Sequence, residues 1–241
     1  MKKSQKAKKL SIIIPTLGKK DSLNTTLSSI TTSLDKDLEY EIIIVSKGQI
    51  SLLKNTGDFI KTLNFQEDGI YKAMNFGIDQ SCGEYLFFCG DDDIIFPMFK
   101  NLFLNGYKKN ADLIIGNVFF GKNKIYKNSR YKFSILFKNI CHQGIIYNKN
   151  FFVREVSSFT DMYHVQADHY ANILCLAKNP KIYKKNICVA WYSNDGFSTK
   201  NLDNQFKKDF EKNIKIHFGT KYFLILYIKN FFLKILRRAR Y

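Results

Sequence analysis

Three consecutive carboxylates, Asp91, Asp92 and Asp93, close an apolar run and a glycine within residues 85–97, YLFFCGDDDIIFP. Adjacent carboxylates repel one another and are costly to bury unpaired, so the trio calls for solvent, cations or a bound divalent metal. Hard oxygen donors suit Mg²⁺ or Mn²⁺, and magnesium held by one or two carboxylates completes its shell with water and substrate phosphates. The triplet alone serves equally as a polar loop in which Asp93 caps a helix that carries Pro97 in its first turn. Farther along, CHQGIIYNKNFF places His142 beside Gln143, and QADHYANILCL places Asp168 and His169 at the start of a predicted helix. A lone histidine is as often a structural hydrogen-bonder as a catalyst.

The elements that must position these groups are legible as runs and periods. Tyr85, Leu86, Phe87, Phe88 and Cys89 read as a buried strand that delivers the aspartates to a sheet edge. LSIIIPT, residues 10–16, is β-branched without alternation, as expected of a parallel strand covered on both faces. Asp21 or Ser22 can then cap a helix whose Leu23, Leu27, Ile30 and Leu34 recur at spacings of four and three. EIIIV at 41–45 is a second buried strand, so the start of the chain is a βαβ unit with a right-handed crossover. A weak helix interrupted by Gly57 is expected over 50–60, and a short strand over 62–65. Ile70, Ala73, Met74, Gly77 and Ile78 share one face of a further helix, with Gly83 as its C-terminal glycine. A helix from Pro97 to about Lys108 and a strand over 113–120 complete an open α/β sheet, Rossmann-like, with helices on both faces. Such sheets bind ligands outside the carboxyl ends of their strands, where Asp91, Asp92, Asp93, Thr16 and Ser46 all fall.

The second half is basic and aromatic over 121–133 and turn-rich over 191–199. Leu202, Phe206, Phe210 and Ile214 mark an amphipathic helix ending near Gly219. Residues 221–241 are apolar with interspersed cations, too short an uninterrupted run to span a bilayer. They read as an interfacial helix on anionic lipid; a helix docked on the protein's own core or on a second copy needs the same amphipathicity.

With 241 residues, 45% of them hydrophobic, the chain can bury a sizeable core. The net charge of +17 points to nucleic acid, an anionic membrane or anionic substrates. Nucleic acid is disfavoured, since no helix-turn-helix, zinc-finger or RNP signature is present and the acidic cluster would repel phosphates unless metal intervened. Five cysteines with no C-x-x-C pairing argue for a reducing compartment and against structural zinc. The basic start MKKSQKAKK is followed by an apolar stretch that Pro15 halts too early for a signal-peptide core, so a cytoplasmic location is expected.

Over residues 10–199 the chain resembles the family 2 inverting glycosyltransferases of GT-A fold, particularly bacterial enzymes that build lipopolysaccharide, capsule or exopolysaccharide. LSIIIPT, CHQGIIYNKNFF and QADHYANILCL each match a family segment. The specific match is QEDGIYKAMNFGIDQSCGEYLFFCGDDDIIFP, where relatives read D-x-G-I-Y-D-A-M-N-x-G-I followed by an aspartate pair. The resemblance implies a nucleotide-sugar donor, a UDP-sugar foremost, whose diphosphate is bridged by Mg²⁺ or Mn²⁺ to Asp91, Asp92 and Asp93. The family's D-x-D-D pattern puts Gly90 at its first acid, so Asp92 and Asp93 match best and Asp91 stands in for the missing acid. Thr16, Ser46, Asp68, Gly69, Tyr71 and Asn75, with Asp91 and Asp92, are implied to border the donor, whereas Ile70 and Met74 belong to the core. His142 and Gln143 are implied to line the acceptor or diphosphate side. Asp168 matches the family's base, which deprotonates a glycan or lipid-linked acceptor for a single inverting displacement. The resemblance also implies a GT-A domain over 1–200, with a donor half about 10–120 and an acceptor half about 121–200. Residues 201–241 then form a helical segment that associates with the inner face of the cell membrane or docks; a homodimer is compatible with these features.

One departure stands out. Relatives carry an acid at the end of the second strand, in a run like IVDGGSTDGT, where this chain has Ser46 and Lys47. That leaves the donor's identity open. A metal-dependent nucleotidyltransferase or phosphohydrolase using the same aspartates is the rival reading, and would release pyrophosphate or free sugar phosphate instead of a nucleoside diphosphate.

Overall fold

The β-branched runs form the strands their composition predicts, and their alternate residues feed two separate cores. The computed structural model describes residues 9–18, 22–35, 38–48, 50, 58–193 and 203–238. Strands β1 (Leu10–Thr16) and β2 (Tyr40–Ser46) are buried along their whole length. Because successive side chains point to opposite faces, Ile13, Ile43 and Val45 join one cluster, while Ile12, Ile14, Ile42 and Ile44 join the other. The second cluster is covered by α1 (Ser22–Leu34) and α3 (Met98–Lys108), through Leu23, Leu27, Ile30, Phe99 and Phe103. The first is covered by later helices and by α2 (Ile70–Asp79), which contributes Met74 and Ile78; Ile70, expected in the same core, is instead exposed at the first residue of the helix.

Strand β3 (Ile60–Asn64) and β4 (Tyr85–Phe88) complete a parallel set with β2 and β1. The sheet runs β3-β2-β1-β4-β8-β6-β9-β5, where β5 is Ile94–Ile95, β6 Leu113–Phe120, β8 Ile145–Asn148 and β9 Ile182–Tyr192; β7 (Lys124–Tyr126) pairs with β6. β8 is antiparallel to both neighbours, β9 is parallel to β6, and β5 is antiparallel to β9. This is the open mixed sheet of the GT-A fold. Residues 51–57 of the helix predicted over 50–60, the Asp21 cap, Leu202 and most of the stretch 191–199 lie outside the described residues; Ile60, expected at that helix's end, begins β3.

Two local expectations are corrected. Gly83 is not a helix terminator: α2 ends at Asp79, and a Cβ on Gly83 would lie 2.5 Å from the Ser11 amide nitrogen, so this glycine permits a backbone to pass against β1. Asp93 does not cap α3, whose N-cap is Pro97 with no side-chain bond.

Helices α4 (Lys149–Glu155), α5 (Ala167–Ala177), α6 (Asn204–Phe218) and α7 (Thr220–Arg238) follow the second half of the sheet. Asp203 caps α6 through the Phe206 amide at 2.9 Å and with its other oxygen takes the Val165 amide at 3.0 Å. Phe206, Ile214, Phe218 and Leu226 belong to the first core cluster. Helix α7 is two-faced. Leu226 is buried and the Lys229 ammonium donates to the Leu136 carbonyl at 2.8 Å, whereas Leu224, Tyr227, Ile228, Phe231, Phe232 and Leu233 are exposed. Among the described residues no helix is long and apolar enough to cross a membrane.

Candidate active site

The carboxyl ends of β1 and β4 lie side by side because the two strands pair in parallel register. From β1, the Thr16 hydroxyl donates to Asp91 Oδ2 at 2.6 Å and accepts the Gly18 amide at 3.1 Å. Beyond β4 the chain turns back so that the Gly90 amide donates to Asp93 Oδ2 at 2.6 Å, and the α1 residue Thr26 donates its hydroxyl to the Asp93 carbonyl at 2.8 Å. Asp93 is completely buried, and its Oδ1 has no hydrogen-bond partner. Burial pushes its pKa up to about 7; the Gly90 N–H opposes this, the Asp92 charge adds to it, and the nearby Gln143 amide pulls it down without closing a bond on Oδ1.

The glycine at the position matched to the family's first acid has a steric reason. A Cβ on Gly90 would lie 3.0 Å from Asp93 Oδ2 and 3.2 Å from Asp92 Oδ1, so a side chain there would press on both carboxylates and shift them by a few tenths of an ångström. Among the described residues no group of three His, Cys, Asp or Glu side chains is arranged to hold a metal ion. Asp92 Oδ1 and Asp93 Oδ2 lie against the same face of Gly90, and Asp91 Oδ2 accepts the Thr16 hydroxyl. Hard oxygens and a buried, unpartnered carboxylate atom suit Mg²⁺ or Mn²⁺, which needs few protein ligands when diphosphate supplies others.

The second carboxylate stands in the first turn of α5. Asp168 Oδ1 accepts the Tyr71 hydroxyl at 3.0 Å, and Oδ2 accepts the Asn139 amide at 2.8 Å. The residue is partly exposed, but its carboxyl is withdrawn, and burial raises its pKa to about 6 against the hydrogen bonds from Tyr71, the His169 backbone and Asn139. Cys141 joins the two halves. Burial raises its thiol to about 12, and both Asp93 and Asp168 add to that shift, so one side chain lies within electrostatic reach of the aspartate loop and of Asp168. Residues 139–143 therefore span the site.

The two histidines take different places. His142 stacks on Phe88 at 5.1 Å with both ring nitrogens buried and unpartnered, and burial lowers its pKa to about 4, so it is neutral. His169 is wedged against Phe206 and Phe210 of α6, at 4.9 and 5.4 Å, and is likewise lowered to about 4 by burial, which its bond with the Ile135 backbone opposes; it is a packing residue.

Other expected donor contacts distribute unevenly. Ser46 is buried and closes a turn on itself, donating to the Gly48 carbonyl at 2.7 Å and accepting the Gly48 amide at 3.2 Å. Asp68 is exposed and ion-paired with Lys47, whose ammonium holds the carboxyl below its usual range. Lys47, next after Ser46 at the end of β2, thus pairs with the acid of the following loop. Gly69, at φ 120°, turns the chain into α2. Tyr71 faces Asp168 and the Val165 carbonyl, and Asn75 makes a reciprocal pair with the Phe159 backbone, both bonds 2.8 Å. Asn139, Cys141, Tyr147 and Asn172 were not singled out from sequence. Only Asn172 carried a signal, since it lies four residues after Asp168 and shares its helix face.

Residues 11–171 match the family model described as Glycosyl transferase family 2. The chain belongs to this family. A PGL/p-HBAD biosynthesis glycosyltransferase of Mycobacterium bovis is 29% identical over 214 residues, 82% of this chain and 82% of that protein, and its Mycobacterium tuberculosis counterpart matches equally. Poly(ribitol-phosphate) beta-N-acetylglucosaminyltransferase TarP of Staphylococcus aureus is 30% identical over 118 residues, covering 45% of this chain and 36% of that protein. The crystal structure of Staphylococcus aureus TarS 1-349 superposes with a TM-score of 0.64 at 14% identity over 86% of this chain, which spans 64% of that chain's length. The fold of this family 2 glycosyltransferase is therefore GT-A, and its aspartate loop and Asp168 both fall inside the family match.

Proposed function

We propose that this glycosyltransferase moves a sugar from a nucleotide-sugar to a glycan or lipid-linked acceptor, with inversion of anomeric configuration, in the synthesis of a surface polysaccharide or glycolipid. The observation that carries this reading is the pairing of the buried Asp93 carboxyl, with Asp92 beside it in sequence, and a separate raised-pKa carboxylate, Asp168, at the two ends of residues 139–143. A UDP-sugar is the donor we favour, since TarS has been solved with UDP and with UDP-GlcNAc.

Asp92 and Asp93 would hold Mg²⁺ or Mn²⁺, with Asp91 alongside. A bound divalent ion supplies Lewis-acid neutralisation of a diphosphate leaving group. The protein's own residues handle the proton. Asp168 accepts it from the acceptor hydroxyl as that oxygen attacks the anomeric carbon from the face opposite the departing diphosphate. Tyr71 has one proton and two acceptors, the Val165 carbonyl at 2.7 Å and Asp168 Oδ1 at 3.0 Å. When Oδ1 becomes protonated, Tyr71 can keep its own proton on Val165 and accept from the new carboxylic acid. A single displacement needs no covalent enzyme intermediate. Thr16 and Gly69 border the donor side, and neutral His142 with Gln143 lines the diphosphate and acceptor side. Asp68 reaches the nucleotide only when Lys47 releases it, and Ser46 and Asn75 shape that border through the backbone they hold.

The exposed face of α7 supports attachment to the inner face of the cell membrane. Its described sequence contains no acidic residue, and Lys221 is exposed along with the apolar side chains. Five free cysteines fit a reducing cytoplasm. A homodimer built on the same face is the alternative occupant.

The deciding experiment is a panel of nucleotide-sugars with Mn²⁺, scored for nucleoside diphosphate release with and without a lipid-linked acceptor. Acceptor-dependent release of UDP, lost in Asp93→Asn and in Asp168→Asn, is expected. Release of pyrophosphate or free sugar phosphate would establish the rival chemistry, and near-normal turnover in both variants would remove the assigned roles.

A further inference from the structure

Asp168 is the end of a chain of oriented hydrogen bonds. The buried Tyr147 of β8 donates its hydroxyl to Asn172 Oδ1 at 2.9 Å. Asn172, completely buried one helical turn after Asp168, donates its amide to Asn139 Oδ1 at 2.9 Å and to the Ile140 carbonyl at 3.3 Å. Asn139 donates in turn to Asp168 Oδ2 at 2.8 Å, and the Tyr126 hydroxyl holds the Asn139 carbonyl at 2.8 Å. The amide orientations are fixed by groups that can only accept: the Ile140 carbonyl takes the nitrogen of Asn172, which also points at the oxygen of Asn139, and the Asp168 carboxylate takes the Asn139 nitrogen, leaving the Asn172 oxygen for the Tyr147 hydroxyl. A flip at either amide would turn a carbonyl toward Asp168 or strand a buried donor.

We propose that Tyr147, Asn172 and Asn139 form a polarised relay of positioning residues that holds one N–H on Asp168 Oδ2 and so sets the pH at which this carboxylate is charged. The titratable groups facing it are Tyr71 from α2, Tyr126 from β7, Tyr147 from β8 and Cys141 from the connecting segment, and burial holds all four neutral. The bonds from Tyr71, from the His169 backbone and from the Asn139 N–H are therefore what supports its charged form. This deepens the reading of Asp168 as the base and rests on it for its catalytic meaning.

The titration is measured on the full chain without substrate. The pH dependence of the melting temperature is compared between the protein and its Asp168→Asn variant, and the difference reports the charge on Asp168. The same pair is measured with Asn139→Ala and with Tyr147→Phe added. The expected result is a midpoint about one pH unit higher with Asn139→Ala and a smaller rise with Tyr147→Phe, which keeps the ring and removes one hydroxyl three hydrogen bonds from the carboxylate. If Asn139→Ala does not fold, the Tyr147→Phe pair decides alone. A midpoint unchanged in the folded variants overturns the relay. In the nucleoside diphosphate assay, an Asp168→Asn variant that retains turnover refutes the base assignment instead, whatever the titration shows.

Discussion

At the scale of single residues, catalysis and stability pull in opposite directions at Asp168. Its folded pKa of about 6 lies above the ordinary carboxylate value of 3.8. Between those values the native state binds more protons than the unfolded chain, so stability falls as pH rises through that window and stays lower above it. Asp168→Asn should accordingly raise the melting temperature at pH 7.5, by the equivalent of on the order of 1 to 3 kcal/mol, and change it little at pH 4. Calorimetry at the two pH values checks this. The same variant should lose transfer by on the order of 10²- to 10⁴-fold. Gly90 makes a second residue-scale case. A methyl group there meets Asp93 Oδ2 at 3.0 Å and Asp92 Oδ1 at 3.2 Å, forcing the carboxylates apart by a few tenths of an ångström. Gly90→Ala should fold normally by circular dichroism yet transfer sugar on the order of 10- to 100-fold more slowly.

At the scale of elements, α2 is a clamp. Tyr71 and Asn75 lie one turn apart on the same face, and both bind the segment that leads into α5, Tyr71 at Val165 and Asn75 at Phe159. Asn75→Ala should lower kcat and cost about 1 to 3 kcal/mol of stability while leaving donor KM unchanged. A rise in donor KM with unaltered kcat would instead return Asn75 to a direct contact with the nucleotide. Helix α7 has two faces with separable roles. Deleting it would uncover Leu226 and the Lys229 bond to Leu136, so loss of membrane binding and loss of stability would be confounded. Tyr227→Glu with Phe231→Glu touches only the exposed face. Sedimentation with phosphatidylglycerol vesicles should show the double variant released to the supernatant with its melting temperature intact. Retained binding would count against the membrane reading, and a dimer lost in the variant would favour self-association.

For the whole molecule, the net charge of +17 is carried by a protein whose candidate site is acidic. The two act at different ranges. Long-range attraction draws the chain to an anionic surface and fades with salt, since the Debye length shrinks to about 8 Å at physiological ionic strength. Vesicle binding should therefore weaken as sodium chloride is raised from 50 to 500 mM, roughly in proportion to the basic residues engaged. The donor's effect is local and global at once, because a ligand that binds only the native state stabilises the entire fold. UDP with Mn²⁺ should raise the melting temperature by the equivalent of about 2.7 kcal/mol at 100 times its Kd. GDP and CDP, compared in the same thermal shift, rank the donor nucleotides.

Composition and order of the residues determined the first half of the sheet, the helices that cover it and the strand-end position of the aspartates, because runs of β-branched residues and helical periods act locally. They also carried the family pattern, and with it Asp168. Strand β9 escaped, since Lys184 and the exposed Lys185 and Asn186 break the apolar run, and only pairing with β6 and β5 makes it a strand. The hydrogen-bond partners inside the site were likewise out of reach of the sequence. Asn75 turned to Phe159, Ser46 closed on its own turn, Asp68 paired with Lys47, and Asn139 joined Asn172 to Asp168 across 33 and 29 residues of chain. Side-chain hydrogen bonds are short and directional, so who partners whom depends on how distant segments are brought together, and that only the tertiary structure decided.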